Sequence, residues 1–239
     1  MANEPGSPGS EVGHVHQDVS GGWLRPAVFG AMDGLVTNIA LVAGVGGGGA
    51  GAHVIVLTGM AGLVAGAFSM ALGEYASVQA QNDLVHAEVT VERDELSRHP
   101  RAEQAELVAS FVQLGLTRDT ARLVAEEVHA NPSLALRVHI NQELGVNPDD
   151  QPSPLVAAGL SLLCFAIGAL VPLIPYLLGF ASLITGLLTG AGGLFLAGVL
   201  AARFTARSWW RGGLRQVGFG VIAAVATYLV GALIGVGAG

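Results

Sequence analysis

The chain has 239 residues, 51% of them hydrophobic and 12% charged, about half the charged fraction of an ordinary soluble domain. A formal charge of −7 leaves no basic footprint for nucleic acid. The single cysteine, Cys164, lies in an apolar run, which excludes a disulfide framework and a cysteine-based zinc site.

Residues 1–22 are polar and rich in Gly, Pro and Ser, without the charged-then-apolar layout of a cleaved signal peptide. They are expected to form a disordered cytoplasmic tail. His14 and His16 either touch metal there or are simply part of an unstructured segment.

A helix needs about 20 mainly apolar residues to cross the hydrocarbon core. Residues 28–45 meet that length with one charge, Asp33, and residues 54–78 form a second span with Glu74 near its end. The Gly46-Gly47-Gly48-Gly49 run between them reads as a turn. Residues 154–202 carry no charge and suit two crossings, with a break near Tyr176 to Gly179. Pro172 and Pro175 are expected to bend the first of these and free backbone carbonyls. Residues 217–239 make the last span. The expected fold is an all-α membrane protein of five transmembrane helices. Helices 1 and 2 fall in residues 23–79 and helices 3 to 5 in residues 153–239, with an acidic helical domain, residues 80–152, between them.

Charge sets the expected orientation. Arg25 precedes the first span, and Arg203, Arg207, Arg211 and Arg215 lie between the fourth and fifth. Positive residues favour the cytoplasm, so the N-terminus, the acidic domain and the Arg loop are all expected there. Trp209 and Trp210 suit the interface beside that loop. Gly62/Gly66, Gly186/Gly190 and Gly231/Gly235 are small residues spaced by four. Such pairs let helices approach closely in lipid, within the chain or at a dimer seam.

Asp33 and Glu74 are the two carboxylates placed inside spans, where each costs roughly 2.5–3.5 kcal/mol on insertion. In the N-in topology they fall at comparable depth. Met70 lies one turn before Glu74 on the same face, and Thr37 one turn after Asp33. Two carboxylates, a thioether and the oxygens of Thr37 and Asn38 would suit a dehydrated first-row divalent cation. The alternative is that both carboxylates snorkel to water at the interface.

Between Asp83 and Asp150 lie 13 of the 18 acidic residues and six of the 11 basic ones. No Gly or Pro follows Glu74 until Pro100, so the second span is expected to continue out of the membrane as helix. Glu88, Glu92 and Glu95 share one face of that extension. Glu103 and Glu106 share a face of the next segment. Further helical runs cover residues 102–113, 117–129 and 134–144, the last containing His139 and Glu143. Clustered carboxylates are either a solvated face or a cation site. Glu126-x-x-His129 matches one half of a di-iron bundle motif, but the second copy that such an enzyme needs is missing.

The stretches Asp33-Gly34-Leu35-Val36-Thr37, Leu63-Val64-Ala65-Gly66-Ala67-Phe68-Ser69-Met70-Ala71-Leu72-Gly73-Glu74-Tyr75 and Val171-Pro172-Leu173-Ile174-Pro175-Tyr176 resemble the vacuolar iron transporter (nodulin-like) family, in its bacterial branch. The resemblance runs in matching order from about residue 22 to the C-terminus. It implies a homodimer in a bacterial inner membrane that exports Fe²⁺ from the cytoplasm in exchange for protons. It also implies a pathway lined by Asp33 and Met70, and domain metal ligands at Glu92, Glu95, Glu103, Glu106 and Glu143. Two positions depart from the family pattern. Gly62 stands where eukaryotic members carry a Glu, so Glu74 is the candidate for its proton-coupling role. His139 and Ile140 stand where plant members carry a Met pair, and an imidazole there opens the site to Mn²⁺ or Zn²⁺. A membrane-anchored metal-binding or sensing module without flux is the alternative function, and a structural protein whose acidic domain recruits a partner is a third.

Overall fold

The computed structural model describes residues 24–147, 150–204 and 208–237. His14, His16 and Arg207 therefore lie outside the described residues. All regular structure among the described residues is helical: α1 (Leu24–Gly47), α2 (Ala52–Arg98), α3 (Pro100–Gln113), α4 (Arg118–His129), α5 (Pro132–Leu144), α6 (Pro154–Leu170), α7 (Ile174–Leu177), α8 (Leu183–Phe204) and α9 (Trp209–Gly237). A 3-10 turn, Val171–Leu173, joins α6 to α7. Five segments are long and apolar enough to cross a membrane: α1, the first part of α2, α6 through α7, α8 and α9. The chain is an all-α membrane protein.

Between the third and fourth spans the chain turns where the sequence predicts. Pro172 and Pro175 interrupt the helix, and Gly179 adopts φ 90° to end it. That left-handed conformation suits a glycine because it has no Cβ. On the other spans, apolar side chains such as Leu233, Ile234 and Ile222 stay largely exposed on α9, as a lipid-facing surface requires.

α1 is the central helix and packs on α6, α9, α2 and α8. Small residues make this possible. A Cβ at Gly34 would run into the backbone carbonyl of Phe165 on α6, and one at Gly168 into that of Ala31 on α1. The three glycine pairs spaced by four also pack within the chain. Gly62 meets Leu41, Gly66 the Phe165 ring, Gly186 the Tyr176 ring and Gly190 Ile39, while Gly231 and Gly235 meet the Gly44 and Gly48 backbones. Asn38 is wholly buried at the meeting of three helices. Its amide donates to Gly59 O on α2 (3.2 Å) and Ala169 O on α6 (2.5 Å).

α2 runs unbroken for 47 residues, about 70 Å at 1.5 Å per residue. Its last turns carry the smaller helices α3, α4 and α5, which share a core of Leu107, Ala125, Val128 and Ala135 with Leu96 and Phe111 packed on it. Thr117 caps α4 by accepting from Thr120 N, and Asn131 caps α5 by accepting from Ser133 N and Leu134 N. These caps satisfy backbone donors that the helix starts leave open, and Asn131 lies in the short connection between α4 and α5.

Candidate metal centre

Three helices bring four ligand side chains to one point. Glu92 comes from the end of α2, Glu103 from the first turn of α3, and His139 and Glu143 from consecutive turns of α5. One donor atom from each lies within 4.8 Å of the other three. His139 is the hub. Its Nδ1 stands 3.1 Å from Glu92 Oε1, 3.6 Å from Glu103 Oε2 and 3.6 Å from Glu143 Oε1.

Burial makes this cluster costly without a compensating charge. His139 is 1% exposed, Glu92 7% and Glu103 8%, whereas Glu143 is open to solvent. Glu92 Oε1 is buried and makes no hydrogen bond, its approach to His139 being close but misaligned. Burial pushes the Glu92 carboxyl up to about 7, with help from the charges of Glu143, Glu103, Glu106 and Glu95. Glu103 is also raised, first by burial, against the lowering effect of His139. Carboxyls perturbed in this way cluster at functional sites. Three carboxylate oxygens and one imidazole nitrogen form a donor set suited to a divalent first-row ion.

Glu95 and Glu106 stand outside this group of four. Glu95 Oε2 pairs instead with His99 Nδ1 at 2.7 Å, both side chains half-exposed, and Glu106 is exposed on α3. Both are near enough to act on Glu92 and Glu103 through their charge. His129 joins the centre from the other side: its Nε2 lies 3.1 Å from His139 Nε2, the rings edge-to-face with centroids 5.2 Å apart. In the sequence His129 pairs only with Glu126, which the structure leaves exposed. Its recurrence ten residues before His139, across the tight Asn131-Pro132 turn, was the signal available.

The residues expected in the membrane are less closely gathered. Asp33 is exposed on α1, and Met70 is half-buried against Ala67, Phe165 and Ala169. Glu74 lines a cavity of about 520 Å³ of mixed polar and apolar character, together with Arg25, Asn82, Asn141 and Gln151. Among the described residues no side-chain hydrogen bond or ion pair joins Asp33, Met70 and Glu74. Asn38 holds α1 to its neighbours with its amide nitrogen, and its oxygen is buried without a partner.

Comparison with known sequences identifies the family. The sequence model of the VIT family matches residues 24–232. Vacuolar iron transporter 1 of Oryza sativa subsp. japonica is 30% identical over 222 residues, covering 90% of this chain and 88% of the relative. Vacuolar iron transporter 2 of the same plant is 29% identical over 208 residues, covering 86% and 85%. The vacuolar iron transporter of Acanthamoeba castellanii is 34% identical over 199 residues, covering 78% and 72%. With five membrane-crossing helices and a match over most of its length, the chain belongs to the VIT family.

Proposed function

We propose that this protein carries a divalent metal ion out of the cytoplasm, with Fe²⁺ the first candidate and Mn²⁺ or Zn²⁺ as alternative cargo, in exchange for protons. The observation that carries the reading is the convergence of buried Glu92, Glu103 and His139 with solvent-facing Glu143 on α2, α3 and α5. Relatives named as iron transporters support iron as the cargo.

In this reading residues 80–152 form a cytoplasmic domain that collects the ion, and Glu95 and Glu106 raise its local concentration by their charge. The cavity bearing Glu74 is lined by Arg25 of α1, Glu74 and Asn82 of α2 and Asn141 of α5, and in this reading it is the entrance to the pathway. Asp33 is exposed on the surface of the single chain. A carboxylate at membrane depth needs a polar surrounding, and a second copy of the chain would enclose it, so the working unit is a homodimer with Asp33 and Met70 facing the pathway. The membrane is a bacterial inner membrane. Moving two charges outward against an inside-negative potential costs about 4.6 kcal/mol per 100 mV, twice the roughly 2.3 per charge. Protons returning through Asp33 or Glu74 supply it, because a carboxylate that releases a cation can take a proton.

The test is metal uptake into proteoliposomes loaded with a pH-sensitive dye, comparing Fe²⁺, Mn²⁺ and Zn²⁺ with and without a proton gradient. Metal flux with opposite proton movement is the expected result and names the ion. Binding without flux would reject transport and leave a metal-binding module.

A further inference from the structure

The contact between His129 and His139 assigns a role to a residue that is not itself among the four converging ligands. We infer that His129 is a positioning residue, which fixes the His139 ring so that Nδ1 presents its lone pair to a divalent cation held by Glu92, Glu103 and Glu143. The inference rests on the metal-binding reading of that cluster.

Geometry leaves His139 one way to ligate. Its Nδ1 faces three carboxylate oxygens at 3.1 to 3.6 Å, while its Nε2 faces His129 at 3.1 Å. The ring is 1% exposed, so water does not compete for either nitrogen. A cation shared with the carboxylates must bind Nδ1, and the ring proton then belongs on Nε2. That proton needs an acceptor, because a buried N–H without one is strongly disfavoured. His129 Nε2 is the atom in place to accept it, which requires His129 to carry its own proton on Nδ1. Metal-bound histidines generally donate their second nitrogen in this way, most often to a carboxylate, carbonyl or water. Here a second imidazole takes that part.

The local fold supports the assignment. His129 closes the last turn of α4, His139 sits mid-way along α5, and the Asn131 cap fixes the turn between them. The edge-to-face approach, 73° between ring planes, aims an edge nitrogen of one ring at the other rather than stacking the two. His129 does not reach the carboxylates with the same nitrogen, since that atom is already against His139.

The experiment uses the full chain in detergent, with Zn²⁺ alone as the probe. Calorimetry compares the parent protein, His129→Gln and His129→Leu, and ¹⁵N NMR reads the two ring nitrogens of His139. The expected parent result is Zn²⁺ on His139 Nδ1 and a proton on Nε2. His129→Gln, whose carbonyl can accept that proton, should bind with affinity close to the parent. His129→Leu should lose about 10- to 100-fold, the usual effect of removing such a partner, with unchanged helix content by circular dichroism. Equal affinity for the Leu variant, or equal loss in both variants, overturns the inference. If the Leu variant does not fold, the parent spectrum decides: zinc on Nε2, or a proton on Nδ1 of zinc-loaded His139, overturns it. No Zn²⁺ binding by the parent would instead reject the metal-binding reading beneath it.

Discussion

Glu92 Oε1 lies 3.1 Å from His139 Nδ1, joining the far end of the long helix α2 to the middle of α5. Because α2 is continuous from Ala52 to Arg98, the ligand end and the membrane-crossing end belong to one rigid rod. Glu92, Met70 and Glu74 are thus carried by the same helix.

Replacing Glu92 by Gln removes a ligand and also a buried charge. Zn²⁺ or Fe²⁺ affinity by calorimetry should fall by at least about 100-fold, the upper end of what losing even an outer partner costs. The metal-free protein should melt at a slightly higher temperature than the parent, since a charge disfavoured first by burial and then by Glu143 and Glu103 is removed. A lower melting temperature without metal would mean that Glu92 contributes to stability even when no ion is bound.

The raised Glu92 carboxyl, from 4.5 to about 7, makes two pH trends follow. The folded state binds this proton more tightly than the unfolded chain, so its contribution to metal-free stability is full below pH 4.5 and is lost as pH rises through about 7. Metal affinity should run the other way, climbing between pH 5 and about pH 7 as Glu92 ionises. Denaturant melts and calorimetry over that range check both signs.

Asp33→Asn separates transport from binding. Asp33 is exposed on α1 and is not among the four converging ligands. The variant should express normally and bind Zn²⁺ as the parent does, while uptake into proteoliposomes disappears. Uptake near the parent rate would remove Asp33 from the pathway.

Gly34→Leu tests the contact between α1 and α6. Any Cβ at this position meets the Phe165 backbone carbonyl, and backbone cannot turn aside as a flexible side chain does. Overpacking of this kind costs about 1–3 kcal/mol or more. The expected result is a clearly lower melting temperature in detergent. Gly73→Leu, at a position with open space around it, should change it little.

Much of this architecture was legible because lipid imposes a simple rule on sequence. Backbone groups must be satisfied within each crossing segment, so length and hydropathy place the spans, and the break near Tyr176 to Gly179 shows as prolines and a glycine. The absence of Gly and Pro between Glu74 and His99 likewise marked the continuous α2. Asn38 was harder to read. Its residue type offers an oxygen donor, but only helix packing shows that its nitrogen is committed to two backbone carbonyls while its oxygen is buried without a partner.

The acidic faces show the same boundary at finer scale. Periodicity put Glu92 and Glu95 on one side of a helix, yet residues three apart still point about 60° away from each other around the axis. That difference in direction leaves Glu92 in the cluster and Glu95 with His99. Likewise Glu103 points in and Glu106 stays in solvent.

By itself, then, the sequence determined the helical class, the spans, the acidic insert and the residue types available for binding a cation, because these depend on local composition and spacing. Only the tertiary structure decided which carboxylates converge, that the glycine pairs serve packing within the chain, and that His129 reaches His139. Those outcomes depend on how α2, α3, α4 and α5 cross, and crossing is set by the packing of side chains distant in sequence.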